Sequence, residues 1–140
     1  MALAVSLRAG GLGKAILSAA IAGVGMCAVA GFGWWSIRTG GPLSNVSVGI
    51  LILITIAIGA TAGLISGRFR DAIASWAAAV IGAALAYQAN YTIDPSWPRS
   101  ETPFEGWVVY AAVFLLPFIA GGHLLGAIVA NRSLRRAKAR

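Results

Sequence analysis

Hydrophobic residues in this chain come in long unbroken runs, and charged residues fall only between them. Residues 15–37, 39–67, 72–93 and 106–131 are uncharged stretches of 23, 29, 22 and 26 residues. A helix rises about 1.5 Å per residue, so roughly 20 residues cross a hydrocarbon core of about 30 Å. Each run is long enough for one crossing. In lipid every backbone polar group must be paired within the segment, which selects helix for such runs. A membrane β-strand alternates polar and apolar positions, whereas a run such as GILILITIAIGA, from Gly49 to Ala60, does not. The pattern predicts an all-α fold, a four-transmembrane-helix bundle forming one integral membrane domain over residues 1–140. Helices are expected at 15–37, 46–66, 72–89 and 103–130, followed by a basic tail at 131–140.

Local signals support these boundaries. Thr102-Pro103-Phe104-Glu105 reads as a capping box with proline at the first helical position. Ser44 or Asn45 is a candidate cap for the second helix, after the Gly40-Gly41-Pro42 turn, and Asp71 for the third. The short Gly67–Asp71 link predicts that the second and third helices form a tight antiparallel hairpin. The third run is rich in alanine and only mildly hydrophobic, so it is expected inside the bundle. The halves show no internal repeat.

Composition sharpens the class. Of the 140 residues, 59% are hydrophobic and 11% charged, less than half the charge usual in a soluble domain. That much charge cannot cover a water-soluble surface. The net charge of +7 suggests nucleic acid until its placement is considered. The basic residues cluster beside apolar runs, as juxtamembrane segments do, rather than along a folded face. Four crossings put both termini on one side, with Arg8, Lys14, Arg68, Arg70, Arg132, Arg135, Arg136, Lys138 and Arg140, which are nine of the eleven basic residues. The positive-inside rule then predicts a multi-pass protein of the cell (inner) membrane with both termini in the cytoplasm. Trp34, Trp35, Trp97 and Trp107 gather near the outer boundary, and Arg132, Arg135, Arg136 and Lys138 near the inner one. Both groups are expected to anchor at lipid headgroups, and the basic tail is expected to favour anionic ones. A rival reading treats residues 1–30 as a signal peptide ending in Ala28-Val29-Ala30. The apolar run continues past that point through Trp35 and Ile37, which favours a retained span.

Candidate chemistry is sparse. Small residues recur every fourth position: Gly23 and Gly31 in the first helix, Gly59, Gly63 and Gly67 in the second, Gly122 and Gly126 in the fourth. Such faces let helix backbones approach closely in lipid. One reading closes them inside the bundle; a sharper one puts Gly59, Gly63 and Gly67 against another subunit. His123 is the only ionisable side chain expected well inside a span, and such residues often mark function. It follows Pro117, which removes the donor for the Val113 carbonyl and is expected to kink or open the helix. Together they make a possible gate or proton site. The plainer reading is a neutral imidazole bonded to a backbone carbonyl or a nearby Ser or Thr. Asp71 stands beside Arg70, and the depth assigned to His123 keeps the two apart. One cysteine, Cys27, excludes an intrachain disulfide and a Cys-rich zinc site. No cofactor or metal is expected, and no GxSxG, HExxH or phosphate-loop motif is present. The expectation is a small non-catalytic membrane subunit, a homo-oligomer or an accessory or assembly part of a larger complex. The alternative is a channel, transporter component or holin-like pore former.

Overall fold

The computed structural model describes residues 10–41, 48–93 and 104–138, and all of these that are regular are helical. Helix α1 spans Gly11–Thr39, α2 Val48–Ser66, α3 Ala72–Ile93, α4 Phe104–Leu115 and α5 Gly121–Lys138. A short 3-10 turn, Phe69–Asp71, joins α2 to α3, and a π-helical turn, Leu116–Ala120, joins α4 to α5. Four helical stretches are long and apolar enough to cross a membrane: Gly11–Gly33, Gly49–Ser66, Phe69–Asn90 and Ala111–Ala137. The fourth is built from α4, the π turn and α5 together. The Ala28-Val29-Ala30 segment lies within α1.

Four boundaries run past the expected ones, at both ends of α1, at the end of α3 and at the end of α5. Charge fixes where lipid stops, but helical hydrogen bonding needs a breaker to end it. Lys14 sits in the first turn of α1, and Arg132 to Ala137 continue α5 because that stretch holds neither glycine nor proline. The breakers are visible where the helices do end. Gly40 closes α1 at φ 65° and Gly67 follows α2 at φ 64°, a left-handed conformation that glycine adopts without steric cost. The Gly41 N–H then returns to the Ser36 carbonyl at 2.8 Å, and the Gly67 N–H to the Gly63 carbonyl at 2.8 Å. The caps expected at Ser44 or Asn45 and at Thr102 and Pro103 lie outside the described residues, as does Trp97.

The bundle is not built from hairpins. Its two most extensive helix contacts pair α1 with α3 and α2 with α5, each between helices that run the same way. Contact between α2 and α3 is slight, so the short link does not make them the packed hairpin that its length suggested. They stand across the bundle from each other, with α1 and the fourth span on either side. The reason lies in the side chains. Glycine faces that interlock exist between α1 and α3 and between α2 and α5, and those pairs come closest.

The core is made of small residues. Ala22 and Met26 of α1, Ala62 of α2, and Ala79, Val80 and Ala83 of α3 surround Leu115 and Ile119 of the fourth span. The alanine-rich α3 stretch has the largest buried share of the four, as its composition suggested. Large apolar side chains point outward instead, among them Val24, Leu53, Ile81, Val113 and Leu125. Trp76 of α3 is half-buried against the core, and its indole N–H donates to the Ala112 carbonyl of α4 at 2.8 Å.

A candidate functional site: the His123 network

Each glycine face has a partner within the chain. A Cβ on Gly59 would collide with the Ile119 carbonyl, and one on Gly63 with the His123 carbonyl. From the other side, Gly122 faces the Ile56 carbonyl and Gly126 the Ala60 carbonyl, both too closely for a side chain. The α2 face considered above for a second subunit is therefore covered by α5. Gly67 does not belong to it; it is the left-handed residue after α2, and a Cβ there would meet nothing within 4 Å. Between α1 and α3, a Cβ on Gly23 would stand 3.0 Å from the Ala78 carbonyl oxygen, whereas Gly31 has only the Ala86 Cβ at 3.7 Å. The tightest point of that pair is Gly82, which presses on the Gly23 carbonyl.

This close packing brings His123 into the middle of a polar chain. The imidazole is fully buried. Its Nε2 lies 2.9 Å from the Arg68 carbonyl oxygen, and its Nδ1 lies 3.0 Å from Ser75 Oγ. A carbonyl only accepts, so Nε2 carries the proton, and in the neutral ring Nδ1 accepts from the Ser75 hydroxyl. Ser75 Oγ is also 3.0 Å from Ser18 Oγ. Because Ser75 gives its only hydroxyl proton to His123, Ser18 must donate to Ser75. One directed chain thus runs from α1 through α3 and α5 to the turn after α2.

The turn carries a second knot. Ser66 donates to the Asp71 carboxylate and accepts from the Arg68 N–H at 3.2 Å. The Asp71 N–H reaches the same Arg68 carbonyl that His123 uses, at 3.4 Å. Asp71 is buried and its carboxylate lies 3.9 Å from Nε of the exposed Arg70. The carboxylate thus fastens the turn to Ser66. The Asp71 carboxylate bonds to Ser66 and stands beside Arg70 while the imidazole bonds elsewhere, and the two residues are linked only through the Arg68 carbonyl, which the Asp71 backbone N–H also reaches. Asn131 of α5 ties the turn again, donating to the Gly67 carbonyl at 3.1 Å.

Two threonines of α2 are satisfied along their own helix. Thr55 donates to the Leu51 carbonyl at 2.8 Å and Thr61 to the Ala57 carbonyl at 2.9 Å. Among the described residues no buried side-chain nitrogen or oxygen lacks a hydrogen-bond partner. Pro117 is exposed, on a different face from His123, and the backbone answers its missing N–H with the π turn rather than an opening. Cys27 is half-buried where α1 meets α3.

Among the expected anchors, Trp35 is exposed and stacks on Phe32 with ring centroids 5.5 Å apart. Arg132, Arg135 and Arg136 are exposed on α5. Trp34, Trp107 and Lys138 lie in helices, but their side chains are outside the described set. Sequence reasoning singled out His123 but missed Ser18 and Ser66. A lone serine beside alanines carries little signal, although its four-residue spacing to Ala22 and Met26 marks the face that is buried.

Comparison with known protein families, with curated proteins and with solved structures finds no match.

Proposed function

We propose that this chain is a non-catalytic, multi-pass membrane protein that acts as a packed structural subunit, an accessory or assembly part of a membrane assembly, with both termini in the cytoplasm. The observation that carries the reading is the closure of its interior. The one histidine has both ring nitrogens engaged, and the helix backbones beside it are too close to admit a Cβ. A conduction path needs polar groups turned toward a lumen; here Thr55 and Thr61 turn to their own helices, and Ser18, Ser75 and His123 turn to each other. General acid–base work needs a carboxylate or histidine free to meet a substrate, and the two such groups described as buried within the bundle, Asp71 and His123, are both committed to holding the turn.

Support for the membrane setting is the inside-out distribution of side chains, small and polar within, large and apolar without. The orientation rests on the nine basic residues placed on the side of the termini. Since the glycine faces are closed within the chain, docking to other subunits falls to the outward apolar surface.

Two measurements test the reading. Gentle detergent extraction followed by mass analysis of the intact particle is expected to give a defined oligomer or complex; a bare monomer at every detergent level would remove the subunit role. Liposomes carrying the purified protein are expected to stay tight to protons and small ions, and flux abolished by His123→Ala would replace this reading with a channel.

A further inference from the structure

The fourth span does not end with the bundle. Helix α5 continues to Lys138, and its residues from Arg132 to Ala137 are exposed. At 3.6 residues per turn, Arg132, Arg135 and Arg136 fall on one side of this helix, within an arc of about 100°. The same side carries Leu125 and Val129, which are 58% and 56% exposed. His123, Gly126 and Ala127 occupy the opposite, buried side, and Gly122 lies buried at its flank. Arg132 and Arg136 continue the line of Leu125 and Val129 to within about 20°, seven residues on in each case, and Arg135 stands to one side. A shallow open depression follows the seam, lined by Val129, Arg132, Ser133, Arg136 and Ala137. No acidic residue occurs between Gly121 and Arg140, so these guanidinium groups have no carboxylate partner on their own helix.

Positive charge at a membrane boundary is general. Stacking two guanidinium groups over an outward apolar strip, with a third beside them, is not required by topology, which counts charges per loop and ignores the helix face. The arrangement matches one molecule with a negative head and a long apolar chain.

We propose that this face of α5 is a binding site for a phospholipid with a net negative headgroup. The phosphate lies between Arg132 and Arg136 with Arg135 beside them, and an acyl chain runs along Leu125 and Val129. Arginine suits the role because its planar fork gives two N–H groups to one phosphate. The site rests on the membrane reading above but does not depend on the subunit role.

The test uses the full chain, extracted in mild detergent and exposed to phosphatidylglycerol or phosphatidylcholine, with bound lipid counted by native mass spectrometry. A variant with Arg132→Gln, Arg135→Gln and Arg136→Gln is compared with one carrying Arg8→Gln, Lys138→Gln and Arg140→Gln, which loses the same charge elsewhere. The wild type and the second variant are expected to prefer phosphatidylglycerol, and the first variant to lose about tenfold or more of that preference. Equal loss in both variants overturns the site, because total tail charge then explains the binding. Absence of any preference in the wild type overturns it too. Tighter binding of heparin than of phosphatidylglycerol, through the same three arginines, would assign the face to an acidic macromolecule instead. Phosphatidylcholine retained on every form leaves the membrane reading intact when the site fails, whereas no bound lipid of either kind sinks both.

Discussion

His123 takes its two partners from separate elements, and the geometry fixes what each partner does. The Arg68 carbonyl can only accept, so the ring is held as the Nε2–H tautomer. The chain contains one histidine, so nitrogen-15 spectra of labelled protein report this ring alone. They are expected to show, for the neutral ring, a protonated Nε2 and a hydrogen-bonded Nδ1 without a proton; the opposite tautomer would contradict the directed chain. Ser75→Ala removes the donor to Nδ1 and the acceptor for Ser18, and is expected to destabilise the bundle by about 1 kcal/mol in detergent unfolding, the scale of an interhelical hydrogen bond in a membrane. His123 was legible in the sequence because an ionisable group in an apolar run stands out. The kind of partner was legible too, a backbone carbonyl and a serine, but not which ones, since a backbone carbonyl has no letter and nothing along the chain points from Ser75 to His123.

At the level of elements, the glycine spacing announced close packing but not which helices would meet. In a helix this rich in small residues, four-residue spacing can be found on several faces, so spacing alone does not choose among them. Only the fitted surfaces show that Gly59 and Gly63 serve α5 and that Gly82 serves α1. The same limit explains the α2–α3 link. A short connection bounds the distance between two helix ends, and it leaves their flanks free to part. The contacts make a graded prediction. Gly63→Ala places a methyl group against a backbone carbonyl that cannot swing aside, and is expected to cost about 2 kcal/mol or more. Gly31→Ala meets only the Ala86 methyl at ordinary contact distance and is expected to stay within about 0.5 kcal/mol. Denaturation of the two variants in matched detergent distinguishes them; equal stability would mean that the α2–α5 approach is looser than described.

For the molecule as a whole, the number and extent of apolar helices followed from the uncharged runs, because lipid thickness translates directly into residue count. Where helices stop was less legible. Charges mark the edge of the hydrocarbon, whereas Gly40, Gly67 and the breaker-free tail set the edge of the helix. Orientation is a separate matter, open to a direct measurement. In a Cys27→Ala background, Ser133→Cys is expected to resist a membrane-impermeant maleimide in intact cells and to react once the cells are opened. Labelling before opening would reverse the assigned sidedness.

The pairing of α1 with α3 and of α2 with α5 has a consequence for how the protein is made. A ribosome delivers the first two spans before the main neighbour of either has been synthesised, so the nascent half must wait with its glycine surfaces exposed to lipid. Neither half is then a self-sufficient unit. Polypeptides separated within residues 94–103 are expected to be degraded when produced singly and to accumulate as a copurifying pair when produced together. The bond between the two fragments is written in the helix flanks, and covalent continuity through residues 94–103 is dispensable to it.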